Sequence, residues 1–289
     1  MAWSLRPLRD ADAEAVEALA TRSFDELGRA AGREDEPGPA DPAAGVARMR
    51  HLIASDPEGA WGAEREGALI GAALALRRGS LWVLSLLAVD PPHQNSGAGR
   101  ALLEATLDYA RPSRGALIAA SDDPRAIGLY GRAGFRPLPT LFARGAVDRT
   151  ALPSGREVRD GDESDLELAS GVDEAVRGAA RPQDLELLLA GPGRRLLIVD
   201  RGPARGYAVT GPDGVRVLGA TDARTARALL WAALAHADNE TMLFWITHAQ
   251  PWAFEVALAA RLALAPAGPL MVRGRIGPFA PFLPNGALL

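Results

Sequence analysis

Cysteine is absent from the 289 residues. That excludes disulfides, thiolate metal sites and a cysteine nucleophile. Lysine is absent too, so all 32 basic residues are arginine. With Ala, Gly and Pro also abundant, this reads as coding bias rather than a functional signal. Against 36 acidic residues the arginines leave a net charge of −4, without the basic balance expected of a nucleic-acid partner. No apolar run reaches the length of a membrane span. The first twelve residues carry charges and no apolar leader core, so a cytoplasmic location without membrane attachment is expected. His236 and His248 are separated by a strand pattern and offer no metal-type spacing, and no metal is expected. Neither the dinucleotide glycine fingerprint nor the Gly-Lys-Ser/Thr phosphate loop occurs.

One stretch organises what is present. Leu81 to Val89 is a continuous apolar run, as in a strand buried on both faces. Asp90-Pro91-Pro92 stops it, because proline cannot donate to a ladder. From Arg100 the spacing is helical, with Leu102, Leu103, Thr106, Leu107 and Ala110 on one face. Between them lies Gln94-Asn95-Ser96-Gly97-Ala98-Gly99. A helix start leaves backbone N–H groups unpaired and its dipole favours an anion. Gly97 and Gly99 let a ligand approach the backbone, and Arg100 can add positive charge. The turn suits a phosphate; a plain strand-to-helix turn needing glycine for its dihedrals is the alternative.

This stretch, "LAVDPPHQNSGAGRALL", resembles motif A of the GNAT acetyltransferase superfamily, with Gln94, Gly97 and Gly99 at the defined positions. Further on, "SDDPRAIGLYGRAGF" is similar to motif B, with Asp123, Ala126, Tyr130, Gly134 and Phe135 in register. Asp123 stands where asparagine is usual. The resemblance covers roughly residues 3 to 147. It implies that the amides of Gln94 to Arg100 bind the pyrophosphate of acetyl-coenzyme A. It implies that Leu87, Ala88 and Val89 offer backbone groups to the pantetheine arm, that Asp123 and Ala126 line the coenzyme, and that Tyr130 protonates the departing thiolate. A phenol near its ordinary pKa is protonated at neutral pH and can donate; a core tyrosine is the other reading.

The general base has no such marker. The strand Leu81 to Val89 holds no carboxylate, and its one side-chain hydroxyl, Ser85, is a poor base but can hold a water. His51 and His93 qualify by residue type alone. Glu34 to Glu36 read as a solvated loop that can attract a cationic amine.

Length allows two domains. The pattern breaks around "GAVDRTALPSG", which places a boundary near residues 148 to 155. The expected fold is α/β, with two tandem GNAT-like domains at 1–150 and 151–289, each a mixed sheet flanked by helices. In the second half "GATDART" runs into a helix with no Gly-x-Gly. Thr221 or Asp222 caps it, and an aspartate there repels a pyrophosphate, so coenzyme binding is expected in the first half alone. Trp231, Trp245 and Trp252 read as core. The proline-rich, apolar tail from Phe279 to Leu289 is expected to dock, in a groove beside the first active site or over the second sheet. In some tandem relatives a terminal carboxylate serves as the base. The resulting expectation is an N-acetyltransferase acting on a small-molecule or peptide amine, as a monomer or homodimer. The alternative is a non-catalytic acyl-coenzyme A sensor, favoured by the missing base.

Overall fold

The structure is a computed structural model that describes residues 3–32, 41–154, 157–212, 214–237 and 240–289. The acidic stretch Glu34 to Glu36 lies outside the described residues. Two compact units are present: Met1–Arg77 with Trp82–Ser113, and Arg78–Leu81 with Arg114–Leu289.

The first unit opens with β1 (Ser4–Pro7) and α1 (Ala13–Ala30). Arg6 holds Asp12 through two bonds of 2.8 and 2.9 Å, and Asp12 also accepts the Arg9 N–H at 2.7 Å. The Arg6 guanidinium keeps the Asp12 carboxyl below its ordinary range. Asp12 therefore fixes the strand-to-helix corner rather than capping α1 by its side chain. Helix α2 (Pro42–Ser55) is capped by Asp41, whose side chain accepts the Ala43 N–H, with proline in the first turn. Helix α1 buries Val16 and Leu19; α2 buries Met49, Leu52 and Ile53. Strands β2 (Ala60–Arg65) and β3 (Ala68–Arg78) form a hairpin around Glu66-Gly67, and β1 pairs antiparallel with β2. Then come β4 (Leu81–Val89) and α3 (Ala98–Tyr109). The strands lie in the order β1-β2-β3-β4.

In the second unit β5 (Gly115–Ala119), α4 (Pro124–Arg132) and β6 (Arg136–Ala146) come first. The cap of α4 is Asp123, whose side chain accepts the Arg125 N–H; Ser121 and Asp122 lie too early to cap it, because Pro124 takes the first helical position. There follow β7 (Arg159–Asp160), α5 (Leu166–Val176), α6 (Pro182–Leu189), β8 (Arg195–Arg201), β9 (Ala204–Gly211), β10 (Gly214–Ala220), α7 (Ala223–Ala235), β11 (Glu240–Ile246), α8 (Pro251–Ala259), β12 (Ala263–Gly274) and β13 (Phe282–Leu283). From β7 to β12 the elements repeat the order of β1 to β6: strand, two helices, three strands, helix, strand, helix, strand. The opening corner repeats as well. Arg159 bonds Asp165 at 2.8 and 2.6 Å, and Asp165 accepts the Asp162 N–H at 3.1 Å.

Strand β12 lies antiparallel between β5 and β6, pairing Met271 with Ile118 on one side and with Pro137 on the other. Strand β11 pairs antiparallel with β6. The second sheet runs β13-β10-β9-β8-β7. Leu229, Leu230 and Leu234 of α7 and Trp252 and Val256 of α8 share one core with Leu197, Ala208 and Leu218 of that sheet. Trp252 is core as expected and Trp231 packs against it. Trp245 departs from the expectation. A register shift in β11 between Leu243 and Ile246 leaves it at φ +62° and half-exposed.

The tail docks within this second unit, as a cover for the second sheet. Phe282 and Leu283 pair with Gly219 and Leu218 of β10, and Leu288 and Leu289 are buried. Beneath them sits a polar cluster with no exposure: Asp173, Arg177, Arg181 and Asp184, joined by Tyr207. Asp173 accepts Arg181 Nε at 2.8 Å and the Tyr207 hydroxyl at 2.6 Å. Arg181 Nη1 donates to the Leu288 carbonyl at 3.0 Å, and Arg177 Nε donates to the Leu289 oxygen. Asp184 takes a two-pronged bond from Arg78 at 2.8 and 2.7 Å. Burial, then the charge of Arg181, pulls the Arg177 guanidinium down to about 9, so it remains a cation at neutral pH. Burial, followed by the Asp173 charge, raises the Tyr207 phenol.

Candidate functional site

The turn after β4 is built from backbone. Strand β4 ends at Val89, and residues 91–93 form one 3-10 turn. The carbonyl of Val89 accepts Ser23 Oγ of α1 at 3.2 Å and Gln94 Nε2 at 3.3 Å. Arg22 pairs with Asp90 at 3.0 Å, and Trp3 Nε1 donates to the Ser96 carbonyl at 3.3 Å. Asn95 sits at φ +62° and Gly97 at +86°, left-handed values that asparagine tolerates and glycine accepts without strain. Gly97 is the N-cap residue of α3 and has no side chain to close the helix start. The first helical bond runs from Ala101 N–H to the Gly97 carbonyl. The N–H groups of Ala98, Gly99 and Arg100 thus lie ahead of the ladder. No acidic residue stands in that first turn. A Cβ on Gly97 meets nothing within 4 Å; one on Gly99 meets Val89 at 3.5 Å. The turn is an open backbone cradle fitted to an anion. Arg100 bonds Glu104 at 2.8 Å one turn along the helix, so its guanidinium is tied to the surface.

Leu87 and Val89 pack against the small core of Ala63, Ile70, Ala73, Ala98 and Leu102, so strand end and helix start are braced together. Ala88 is buried. Ser85 Oγ is shielded from solvent and has no hydrogen-bond partner among the described residues, a polar atom that needs one.

Tyr130, Asp123 and Ala126 belong to the second unit, on or capping α4. Tyr130 is 6% exposed. Burial first, and the negative charge of Asp123 second, push its phenol well above the ordinary value, so it stays protonated across the physiological range. Gly134, at φ +86°, ends α4, and Phe135 N–H returns to the Tyr130 carbonyl at 3.1 Å. From β12, Arg273 donates to the Ala133 carbonyl at 3.2 Å and lies over the Phe135 ring.

The second unit offers a contrast at α7. Its cap is Asp222, whose carboxylate accepts the Thr225 N–H at 2.9 Å and its hydroxyl at 2.6 Å. A carboxylate fills the position that Gly97 leaves open.

One residue lacked a signal in the sequence. Glu17 of α1 is buried, its Oε2 makes no hydrogen bond among the described residues, and Arg48 Nη2 stands 3.9 Å away. Its burial depends on Gly45 of α2, where a Cβ would lie 2.1 Å from Glu17 Oε1. On the helical pattern Glu17 reads as solvated. No group of His, Asp and Glu able to hold a metal occurs among the described residues, and no described helix is long and apolar enough to cross a membrane.

Residues 24–135 match the model of the acetyltransferase (GNAT) family. Solved structures agree in fold. A provisionally named acetyltransferase of Pyrococcus horikoshii aligns with a TM-score of 0.76 at 16% identity, over 96% of this chain and 90% of that one. A GCN5-related N-acetyltransferase of Kribbella flavida gives 0.60 at 18%, over 94% and 72%. One of Anabaena variabilis gives 0.58 at 12%, over 94% and 72%. A search of curated proteins finds no match.

Proposed function

We propose that this protein is an N-acetyltransferase that binds acetyl-coenzyme A at Gln94 to Arg100 and transfers its acetyl group to a small-molecule or peptide amine. The observation that carries the reading is the α3 start: a glycine cap, free amides ahead of the ladder and no acid in the first turn. The pyrophosphate takes those amides, and backbone groups of Leu87 to Val89 take the pantetheine arm, with Asp123 and Ala126 completing the coenzyme contacts. The amine nitrogen attacks the thioester carbonyl, forming the C–N bond as the C–S bond breaks. A backbone N–H of β4 stabilises the carbonyl oxygen. The Tyr130 phenol gives its proton to the sulfur, and a water held at Ser85 carries off the proton of the amine. Tyr130→Phe is expected to lower kcat about 100-fold with coenzyme affinity unchanged, measured as thiol release across a panel of amines. Unaltered turnover makes Tyr130 structural.

The lack of a carboxylate on β4 favours a second reading, a non-catalytic acyl-coenzyme A sensor. It predicts coenzyme binding without thiol release for every amine tried.

The repeated element order and the repeated Arg6–Asp12 and Arg159–Asp165 corners support two related domains, 1–150 and 151–289, within which Asp222 closes the second helix start to an anion. Calorimetry is expected to show one coenzyme per chain. Two per chain would overturn the division of roles.

A further inference from the structure

Trp3 immediately precedes β1, yet its side chain reaches the turn after β4. Indole Nε1 donates to the Ser96 carbonyl at 3.3 Å, across 93 residues of sequence. Ser96 is the residue before the Gly97 cap of α3. The ring also packs against the small core that contains Ala98, the first residue of that helix. These two contacts fix the indole beside the anion cradle. Neither uses up the ring, which is only half-buried. The backbone next to it is open as well. Asn95, Ser96 and Gly97 are exposed, and a Cβ on Gly97 meets nothing within 4 Å.

A leucine would fill the same edge of an apolar core. An indole adds a flat π face, and its N–H fixes the plane of that face. Nucleobases stack on such faces with a large effect on affinity. Beside a phosphate cradle, the ligand that brings a base with it is a nucleotide.

We infer that Trp3 is the adenine platform of the coenzyme site: with the pyrophosphate on the amides ahead of α3, the adenine lies against the indole. The inference rests on the coenzyme reading of that turn. It makes Trp3 a specificity residue that separates coenzyme A from pantetheine thioesters carrying no nucleotide, and gives it no part in acetyl transfer.

The probes are acetyl-coenzyme A, its etheno-adenine derivative and acetyl-phosphopantetheine. All are titrated against the full chain by calorimetry, and the etheno derivative by its fluorescence as well. Trp3→Leu is expected to weaken acetyl-coenzyme A about tenfold, within the range for a base stacked on an aromatic side chain, and to leave acetyl-phosphopantetheine unchanged. Trp3→Phe, which keeps a ring and loses the donor, is expected to lose less than Trp3→Leu. Etheno emission should be quenched on binding to the unaltered chain and not on binding to Trp3→Leu. That signal decides the case if the shorter thioester binds too weakly to titrate. Equal losses for the two thioesters would make Trp3 a clamp on the turn. Trp3→Phe as weak as Trp3→Leu would assign the effect to the Nε1 bond. Quenching that is absent, or that survives Trp3→Leu, would place the base elsewhere. Each of these overturns the inference while acetyl-coenzyme A binding to the unaltered chain stands. If the unaltered chain binds no acetyl-coenzyme A, the coenzyme reading fails and the inference with it.

Discussion

Gly97→Glu is expected to weaken acetyl-coenzyme A by about 100-fold or more, a loss of about 2.7 kcal/mol. Two effects combine. The residue occupies φ +86°, which costs any L side chain about 1–2 kcal/mol. It also places a carboxylate at a helix start that otherwise holds no acid in its first turn, where it competes for the amides and repels a phosphate. Gly97→Ala separates the two, because its Cβ meets nothing within 4 Å and carries no charge. Calorimetry should place Gly97→Ala within about tenfold of the unaltered protein and Gly97→Glu far beyond it. Equal affinities for the two variants would show that the turn responds to strain alone and does not bind the phosphates.

The largest loss of stability is expected at Asp173. Its carboxylate is fully buried and neutralises Arg181, which is also fully buried. Removing one partner of such a pair typically costs about 3–5 kcal/mol, because the other charge is left unsolvated. Asp173→Ala also strips the Tyr207 hydroxyl of its acceptor and leaves Arg177 and Arg181 as adjacent cations without that counter-charge. Thermal melting should fall by on the order of 10 °C. The double variant Asp173→Ala with Arg181→Met is expected to recover part of the loss, since no orphaned charge remains at position 181. A melting temperature within a degree or two of the parent for Asp173→Ala would mean the cluster is hydrated and contributes little.

What the sequence shows well is what depends on neighbours in the chain. The run Leu81 to Val89, the prolines after it and the helical face from Leu102 are local patterns, and β4, the 3-10 turn and α3 follow them closely. Asp222 was legible as a cap for the same reason. Ends set by side-chain competition are less so: Asp12 pairs with Arg6 instead of capping α1 by its side chain, and Pro124 at the first helical position leaves the cap of α4 to Asp123. Features made by distant chain segments left little trace. Glu17 looks exposed until Gly45 is known to lie over it. The cluster of Asp173, Arg177, Arg181 and Asp184 reads as ordinary helix-surface charge, and is buried because the tail covers it. Trp245 reads as core because nothing local announces the slip in β11.

The position of β12 between β5 and β6 bears on how the chain is made. Ile118 and Pro137 emerge early from the ribosome, but the strand that joins them carries Met271. At ordinary synthesis speeds the interval is on the order of ten seconds. Throughout it β5 and β6 keep open edges, the kind that invite pairing with another chain. Arg273, which braces the end of α4 after Tyr130, arrives with the same strand. The joining of β5 to β6 through β12 is therefore one late step in the making of the nascent protein.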